Sequence, residues 1–170
     1  MKYTRFEELP VWKAAIALAV QIHSLGAKPA FKGNGSLRDQ LERATVSISN
    51  NIAEGFERGT TQELLTFLYI ARGSAGEVRS MLCLFERLSE FADLKSEISD
   101  LKSQAENISR QLRGWADSLQ ESKIKGQRFL TDKARKSSRA AQDRTEFLEK
   151  LRTIREQDKA VPDKDRPEEN

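Results

Sequence analysis

Four stretches of the chain repeat apolar residues at spacings of three and four, the period that predicts an α-helix with one buried face. The first helix is predicted to open at Leu9 and Pro10, because a proline at the first helical position gives up no intrahelical hydrogen bond. Its apolar stripe comprises Val11, Ala15, Leu18, Ile22 and Leu25. A second stripe on the same helix comprises Trp12, Ile16 and Ala19.

The second helix is predicted from about Leu37 to Glu57. Ser36 followed by Asp39 is a plausible N-cap arrangement for it. The string Gly33-Asn34-Gly35 before it is interpreted as a turn, since it lacks the lysine and the preceding strand of a phosphate-binding loop. The stripe of this helix comprises Leu37, Leu41, Ala44, Ile48, Ile52 and Phe56.

A capping box, Thr60 with Glu63 three residues later, predicts the start of a third helix that continues to Leu88. The fourth helix has the most regular pattern in the chain, with spacings of four and three sustained for over three heptads. Its stripe comprises Leu94, Ile98, Leu101, Ala105, Ile108, Leu112, Trp115 and Leu119.

Four amphipathic helices with short connections predict an all-α fold, an antiparallel up-and-down four-helix bundle with a charged C-terminal extension. The first helix and the first turns of the third, Leu64 to Ala71, carry more apolar surface than one buried face requires. We therefore expect self-association through these two helices. The alternative is that both helices are central in the bundle.

The pattern changes after Leu119, which divides the chain into a bundle over residues 1–119 and an extension over 120–170. Residues 1–119 hold 15 cations and 15 acids, whereas Lys123 to Arg139 holds seven cations against Asp132 alone. The extension is expected to be basic, then mixed in charge, and partly helical or disordered. A further helix from Thr145 to Lys159 is expected around Phe147, Leu148, Leu151 and Ile154.

The composition excludes several kinds of site. The chain has one histidine, His23, and one cysteine, Cys83, which cannot build a His/Cys zinc site or an intramolecular disulfide. The N-terminus has no apolar run typical of a secretory signal, and the uncharged stretch between Lys13 and Lys28 is too short to span a bilayer. We expect a cytoplasmic protein with no metal or other cofactor and no membrane partner.

A few polar residues lie among the core positions of the second and third helices. Arg43, Asn51 and Glu54 share one helical face, and Arg72 and Glu77 follow on the third helix. An inward Glu54 would need a cation, which Arg43 or Arg72 would supply. The favoured interpretation is a structural hydrogen-bond network of these five residues, Arg43, Asn51, Glu54, Arg72 and Glu77. A catalytic pair of Glu54 and Glu77 is the alternative, but no nucleophile or metal triad accompanies it.

Three separated strings occur in an order that resembles a known bacterial family. They are Phe6 to Ala15, then Leu37 to Gly55 with Asn-Ile-Ala-Glu-Gly at its end, then Phe67 to Ser74 with Glu77. The chain resembles, over residues 6 to 119, the four-helix bundle proteins encoded within intervening sequences of large-subunit ribosomal RNA genes.

That family includes the accessory variability determinant proteins of diversity-generating retroelements. The resemblance implies a homopentameric barrel, binding of nucleic acid and of a partner reverse transcriptase through basic surfaces, and no enzymatic activity. This chain differs from the retroelement proteins in its charge-balanced bundle and its long extension.

Together these observations predict a non-enzymatic, oligomeric protein that binds structured RNA or other nucleic acid through basic surfaces. The alternative is a protein-interaction adaptor or accessory subunit for a partner enzyme such as a reverse transcriptase. The residues predicted to contact phosphates are Arg38, Arg43, Lys123, Lys125, Arg128, Lys133, Arg135, Lys136 and Arg139.

Overall fold

The computed structural model describes residues 3–121, 140 and 143–153. Four long helices make up most of the first range: α1 (Pro10–Gly26), α2 (Gly35–Glu57), α3 (Thr61–Phe85) and α4 (Lys95–Glu121). Short 3₁₀ helices, Phe6–Glu8, Pro29–Phe31 and Ser89–Leu94, lie before α1 and in two of the connections. The described residues are helical with no strand, as the all-α prediction requires.

The starts of α1 and α3 match the sequence signals. Pro10 is the first residue of α1. At α3 the capping box is confirmed, because the backbone N–H of Glu63 donates to Thr60 Oγ1 at 3.2 Å. The Thr60 hydroxyl in turn donates to the Glu63 carboxylate at 2.7 Å, which holds both side chains at the helix end.

The predicted N-cap of α2 is wrong. The helix begins at Gly35, so Ser36 lies inside its first turn, and the capping residue is Asn34 without a side-chain cap bond. The carbonyl of Asn34 accepts the first helical hydrogen bond, from the N–H of Arg38 at 3.1 Å. Gly33, with φ of 90°, turns the chain just before this point, a conformation that glycine adopts without strain.

The third helix ends three residues earlier than predicted, at Phe85. Leu88 lies in the turn that follows, and the 3₁₀ helix after it buries Phe91. The ring of Phe91 stacks on Phe85, with centroids 4.7 Å apart, and meets Phe31 edge-on at 4.8 Å. This aromatic cluster ties the two connections between helices to the end of α3.

The four helices surround one apolar core. Helix α1 packs against α2 and α4, α2 packs against α3, and α3 packs against α4. Most of the stripe positions predicted for α1 and α4, among them Leu18, Ile22, Ile98 and Leu112, are buried. Leu94, Trp115 and Leu119 of the α4 stripe are partly buried against the core. None of the helices in the described ranges is long and apolar enough to cross a bilayer.

The chain divides into two units, residues 1–128 and 129–170. The first holds α1 to α4. In the second, residues 143–153 are helical, within and just before the segment where the sequence predicts a helix. The other predicted features of the extension, including Ile154 and the end of the chain, lie outside the described residues.

Candidate interaction surfaces

Arg38 lies in the first turns of α2, beside the end of α1. Its Nη2 and Nε both donate to Asp39 Oδ1, at 2.9 and 3.1 Å. Its aliphatic stem packs over Gly26, where an added β-carbon would be 3.0 Å from Arg38 Cγ. The hydrogen bond to Asp39 raises the pKa of Arg38 above its already high ordinary value. A phosphate at this guanidinium therefore competes with Asp39.

Arg43 is exposed on the outer side of α2, beside a shallow depression lined by Val46, Ser47 and Asn50. It lies five residues after Arg38, which corresponds to about 140° around a helix at 3.6 residues per turn. The two arginines therefore lie on different faces of α2 and form no shared basic patch.

The seven remaining residues predicted to contact phosphates belong to the segment 122–139, which lies outside the described residues. They are Lys123, Lys125, Arg128, Lys133, Arg135, Lys136 and Arg139. For these residues the charge pattern of the sequence is the only guide.

The expected polar network begins at Asn51, on the side of α2 that faces α3. Asn51 Nδ2 donates to the Ser47 carbonyl at 2.7 Å and to Ser47 Oγ at 3.0 Å. Ser47 Oγ lies 3.0 Å from Ser74 Oγ on α3, so one hydroxyl donates to the other. A small hydrogen-bonded cluster therefore joins the middle of the two helices.

The other members of the expected network are separate. Gln40 Nε2 donates to Glu77 Oε1 at 3.1 Å, a second contact between α2 and α3. Glu54 is exposed and pairs with Arg58 one turn later, at 2.5 Å, rather than with Arg43 or Arg72. An exposed carboxylate needs no buried cation, which removes the reason for expecting Arg43, Arg72 and Glu54 to meet.

Sequence reasoning missed the actual partners in these contacts, namely Gln40, Ser47, Arg58 and Ser74. The i, i+4 spacing of Glu54 and Arg58, and of Ser47 and Asn51, was available as a signal. The contacts between helices depend on the register of α2 against α3, which no local pattern encodes.

The one histidine and the one cysteine of the chain make contacts of a structural kind. His23 Nδ1 lies 3.3 Å from Glu42 Oε1, across the gap between α1 and α2. Cys83 is half-buried on α3, and its backbone carbonyl accepts a hydrogen bond from Arg87. Within the described ranges, no group of three or more metal-ligating side chains lies together.

An open apolar groove of about 370 Å³ runs between α1 and α2. It is lined by Ile16, Ala19, Val20, His23, Ser24, Glu42 and Val46. Val20 is 62% exposed and Val46 is 47% exposed. Helix α1 carries no Asp, Glu, Lys or Arg after Lys13, so its outer surface beside the groove is uncharged for about three turns.

A second apolar area lies on the outside of α3, where Tyr69, Ile70 and Leu84 are exposed. Gly73 and Gly76 lie between them, with no atom within 4 Å of where a β-carbon would be. The surplus apolar surface predicted on α1 and α3 is thus at least partly on the outside of the helices. These two areas are the candidate surfaces for a partner chain.

Comparison with known families gives one match, to 23S rRNA-intervening sequence protein, over residues 7–114. The chain belongs to this family. The match includes α1, α2 and α3 completely and most of α4, and it agrees closely with the range over which the sequence resembles the family. Both candidate apolar areas, Arg38 and Arg43 lie within the family segment, whereas the basic segment 123–139 follows it.

A search of curated proteins gives no match to the chain. The family's description names the kind of gene region that encodes its members and assigns them no activity. The charges and surfaces of this chain are therefore the features that indicate its function.

Proposed function

We propose that the protein is a non-enzymatic, self-associating helical bundle of the cytoplasm that binds structured RNA or other nucleic acid. The segment from Lys123 to Arg139 makes the main phosphate contacts, and the exposed Arg43 adds to them. Because phosphate contacts position a protein without reading bases, this binding is largely independent of sequence.

The distribution of charge carries the proposal. Seven cations and one acid within 17 residues give a net charge of +6, next to 119 residues whose 15 cations and 15 acids cancel. A cluster of this kind gains affinity for a phosphate backbone by releasing the counterions condensed on it. The described cations of the bundle contribute less to phosphate binding than the segment 123–139, since Arg38, Arg58 and Lys102 each pair with a neighbouring carboxylate.

The apolar groove beside α1 and the exposed apolar residues of α3 support the self-association. We infer an antiparallel up-and-down four-helix bundle from the pairwise packing of α1 to α4 and their short connections. The homopentameric assembly is the state that the resemblance to accessory variability determinant proteins implies. Each assembly would then present several copies of the basic segment, which strengthens weak individual contacts.

One observation favours a second function. A mostly apolar groove also suits a protein ligand, so the oligomer would act as an adaptor or accessory subunit for a partner enzyme such as a reverse transcriptase. Apolar contacts of this kind depend weakly on salt, whereas phosphate contacts depend on it steeply.

Fluorescence anisotropy with a labelled structured RNA, titrated across a salt series, tests the proposal. In the tail variant all seven cations of 123–139 are changed to Gln. The matched control carries seven Gln substitutions at exposed bundle cations: Arg5, Lys13, Lys32, Arg87, Lys95, Arg110 and Arg113. Both variants have the same net charge, so a general effect of charge changes them equally.

For the full chain we expect the logarithm of the binding constant to fall with the logarithm of salt concentration, with a slope between about −5 for single-stranded and about −6 for duplex regions if all seven cations engage phosphates. The tail variant should lose most of the affinity and of the slope, while the control keeps both. Equal losses in the two variants would overturn the assignment to the tail. Absence of binding by the full chain at low salt would overturn the nucleic-acid function and favour the adaptor.

A further inference from the structure

The helix over residues 143–153 has an uncovered apolar patch. Phe147 is 61% exposed, Leu148 is 54% exposed and Leu151 is 43% exposed. At 100° per residue, these three residues lie within one arc of about 100° on the helix surface. Glu149 lies nearly opposite the middle of that arc, while Arg144 lies within the arc, one turn before Phe147 and Leu148. The apolar patch is therefore one-sided, and Arg144 bounds its N-terminal end.

An amphipathic helix gains most of its stability by packing its apolar face, rather than from helix propensity. Thr153 Oγ1 donates to the Glu149 carbonyl at 3.1 Å, which is a contact within the helix and covers none of the patch. Burial of Phe147, Leu148 and Leu151 would supply that stabilisation.

The charges beside the patch indicate what covers it. Asp143 and Lys150 are seven residues apart, so they lie two turns apart on the same edge of the patch, with opposite charges. When two copies of one helix pack antiparallel about a two-fold axis, a given edge of one copy lies on the same side of the interface as the same edge of the other copy. These two edges are therefore adjacent. With that axis near Phe147, Asp143 of each copy lies beside Lys150 of the other. A parallel pair would instead bring this edge against the opposite edge of its partner.

The geometry points to a two-fold, antiparallel association of the 143–153 helix with the same helix of a second copy of the chain, through Phe147, Leu148 and Leu151. The patch extends over little more than one turn of the described residues, so the contact is weak between free chains. The inference rests on the proposed self-association, because chains held in one assembly have a high effective concentration of this helix; in a pentamer, at most four of the five helices pair in this way.

Disulfide trapping in the full chain tests the contact. The background variant Cys83→Ser removes the native thiol, and Leu148→Cys then places one thiol near the two-fold axis. Glu149→Cys places the thiol on the opposite face of the same helix as the matched control. We expect a crosslinked dimer from Leu148→Cys under mild oxidation and its loss with Glu149→Cys.

The orientation is tested by mixing two single-cysteine proteins, Asp143→Cys and Lys150→Cys, one of which carries a size tag. The antiparallel pair predicts the mixed crosslink, while a parallel pair separates position 143 of one copy from positions 143 and 150 of the other and predicts neither the mixed crosslink nor that of Asp143→Cys with itself. In the cysteine-free background, the double variant Asp143→Lys with Lys150→Asp should retain any association that either single change weakens.

Light scattering of the same samples separates this inference from the proposed oligomer. An assembly that forms normally but gives equal crosslinking at 148 and 149 overturns the helix contact and leaves the oligomer intact. A monomeric chain overturns the proposed self-association, and crosslinking specific to position 148 in concentrated monomer would still support the helix contact.

Discussion

Gly55 on α2 lies so close to α3 that a β-carbon at this position would be 2.7 Å from the Cβ of Phe67. The guanidinium of Arg58, which pairs with Glu54, lies over the Phe67 ring at 5.1 Å from its centroid. The final glycine of the Asn-Ile-Ala-Glu-Gly string therefore permits the close approach of the two helices, and the glutamate holds the arginine that covers the contact.

Gly55→Ala is expected to destabilise the protein by about 1 to 3 kcal/mol, the usual cost of overpacking a tight core. The clash involves the Cβ of Phe67, which moves only with its helix, and Leu64 Cδ1 is a further 3.2 Å neighbour. Chemical denaturation followed by circular dichroism measures the change in free energy of unfolding.

Gly114→Ala is the matched control, because Gly114 is an exposed residue within α4, outside both candidate apolar areas, with no atom within 4 Å of the added β-carbon. Alanine has the better helix propensity, so this change should stabilise the protein by about 0.5 to 1 kcal/mol. Effects of the same sign at both glycines would contradict the close-approach explanation.

Thr60→Ala should cost about 1 kcal/mol of stability, since it removes the acceptor for the Glu63 N–H at the start of α3. The change also frees the Glu63 carboxylate, which accepts from the Thr60 hydroxyl. Thr66→Ala is the control, because Thr66 is exposed on the same helix and bonds only to a carbonyl one turn earlier. Thermal unfolding of the two variants compares them, and equal midpoints would show that the cap contributes little.

Local patterns predicted the helices well and their contacts poorly. The stripes of α1 and α4 and the capping box at Thr60 depend on residues a few positions apart, which the sequence displays directly. The end of α3 was predicted too late because Leu88 continues the apolar spacing, although it packs from the following turn. Phe91 was assigned to no element, yet it is fully buried against Phe31 and Phe85.

The candidate sites show the same limit. Arg38 and Arg43 were both predicted to contact phosphates, and their angular separation directs them to different faces of α2. A Glu54 that faced inward would have needed a cation from Arg43 or Arg72, whereas the helix turns it out toward Arg58. The surplus apolar surface of α1 was visible in the sequence, but only the packing of α1 on α2 shows that Val20 of α1 and Val46 of α2 are exposed beside one groove.

Glu7 should titrate below its ordinary range. The hydrogen bond from Arg5, at 2.7 Å, is the largest cause that lowers the pKa of Glu7, and a backbone N–H adds to it. Because the pKa of Glu7 is lower in the folded protein than in the unfolded chain, the ionised carboxylate stabilises the fold. This stabilisation is complete above the pKa of the unfolded chain and is lost as the pH falls through the pKa of the folded protein. Both side chains are exposed, so the effect on stability is small.

NMR titration of the Glu7 carboxyl carbon measures this directly. Arg5→Gln should raise the pKa of Glu7 without restoring its ordinary value completely, because the backbone hydrogen bond remains. Lys13→Gln, at an exposed cation of α1, is the control and should leave the Glu7 titration unchanged. A Glu7 pKa that does not respond to Arg5→Gln would contradict the ion pair.

Val20→Lys is expected to dissociate the protein to its 19.3 kDa chain, because it places a charge in the middle of the apolar groove. Val20 is mostly exposed within the chain, so a lysine there reaches water in the monomer and leaves the stability of the helices intact. In an assembly that covers the groove, the same ammonium would be desolvated, and Glu42, the carboxylate that lines the groove beside His23, would offset only part of that cost. Light scattering measures the mass, and circular dichroism measures the helix content.

Asn107→Lys on α4 is the matched control, since it adds the same charge at an exposed position away from the groove. It should leave the mass of the assembly unchanged. If Val20→Lys keeps the parental mass as well, the groove is free in the oligomer and becomes available to a different protein. Val46→Lys, on the opposite wall of the groove, then tests whether α2 alone makes the contact. Loss of assembly by this variant alone would place the contact on α2. Retention of assembly by both variants would exclude the groove from self-association.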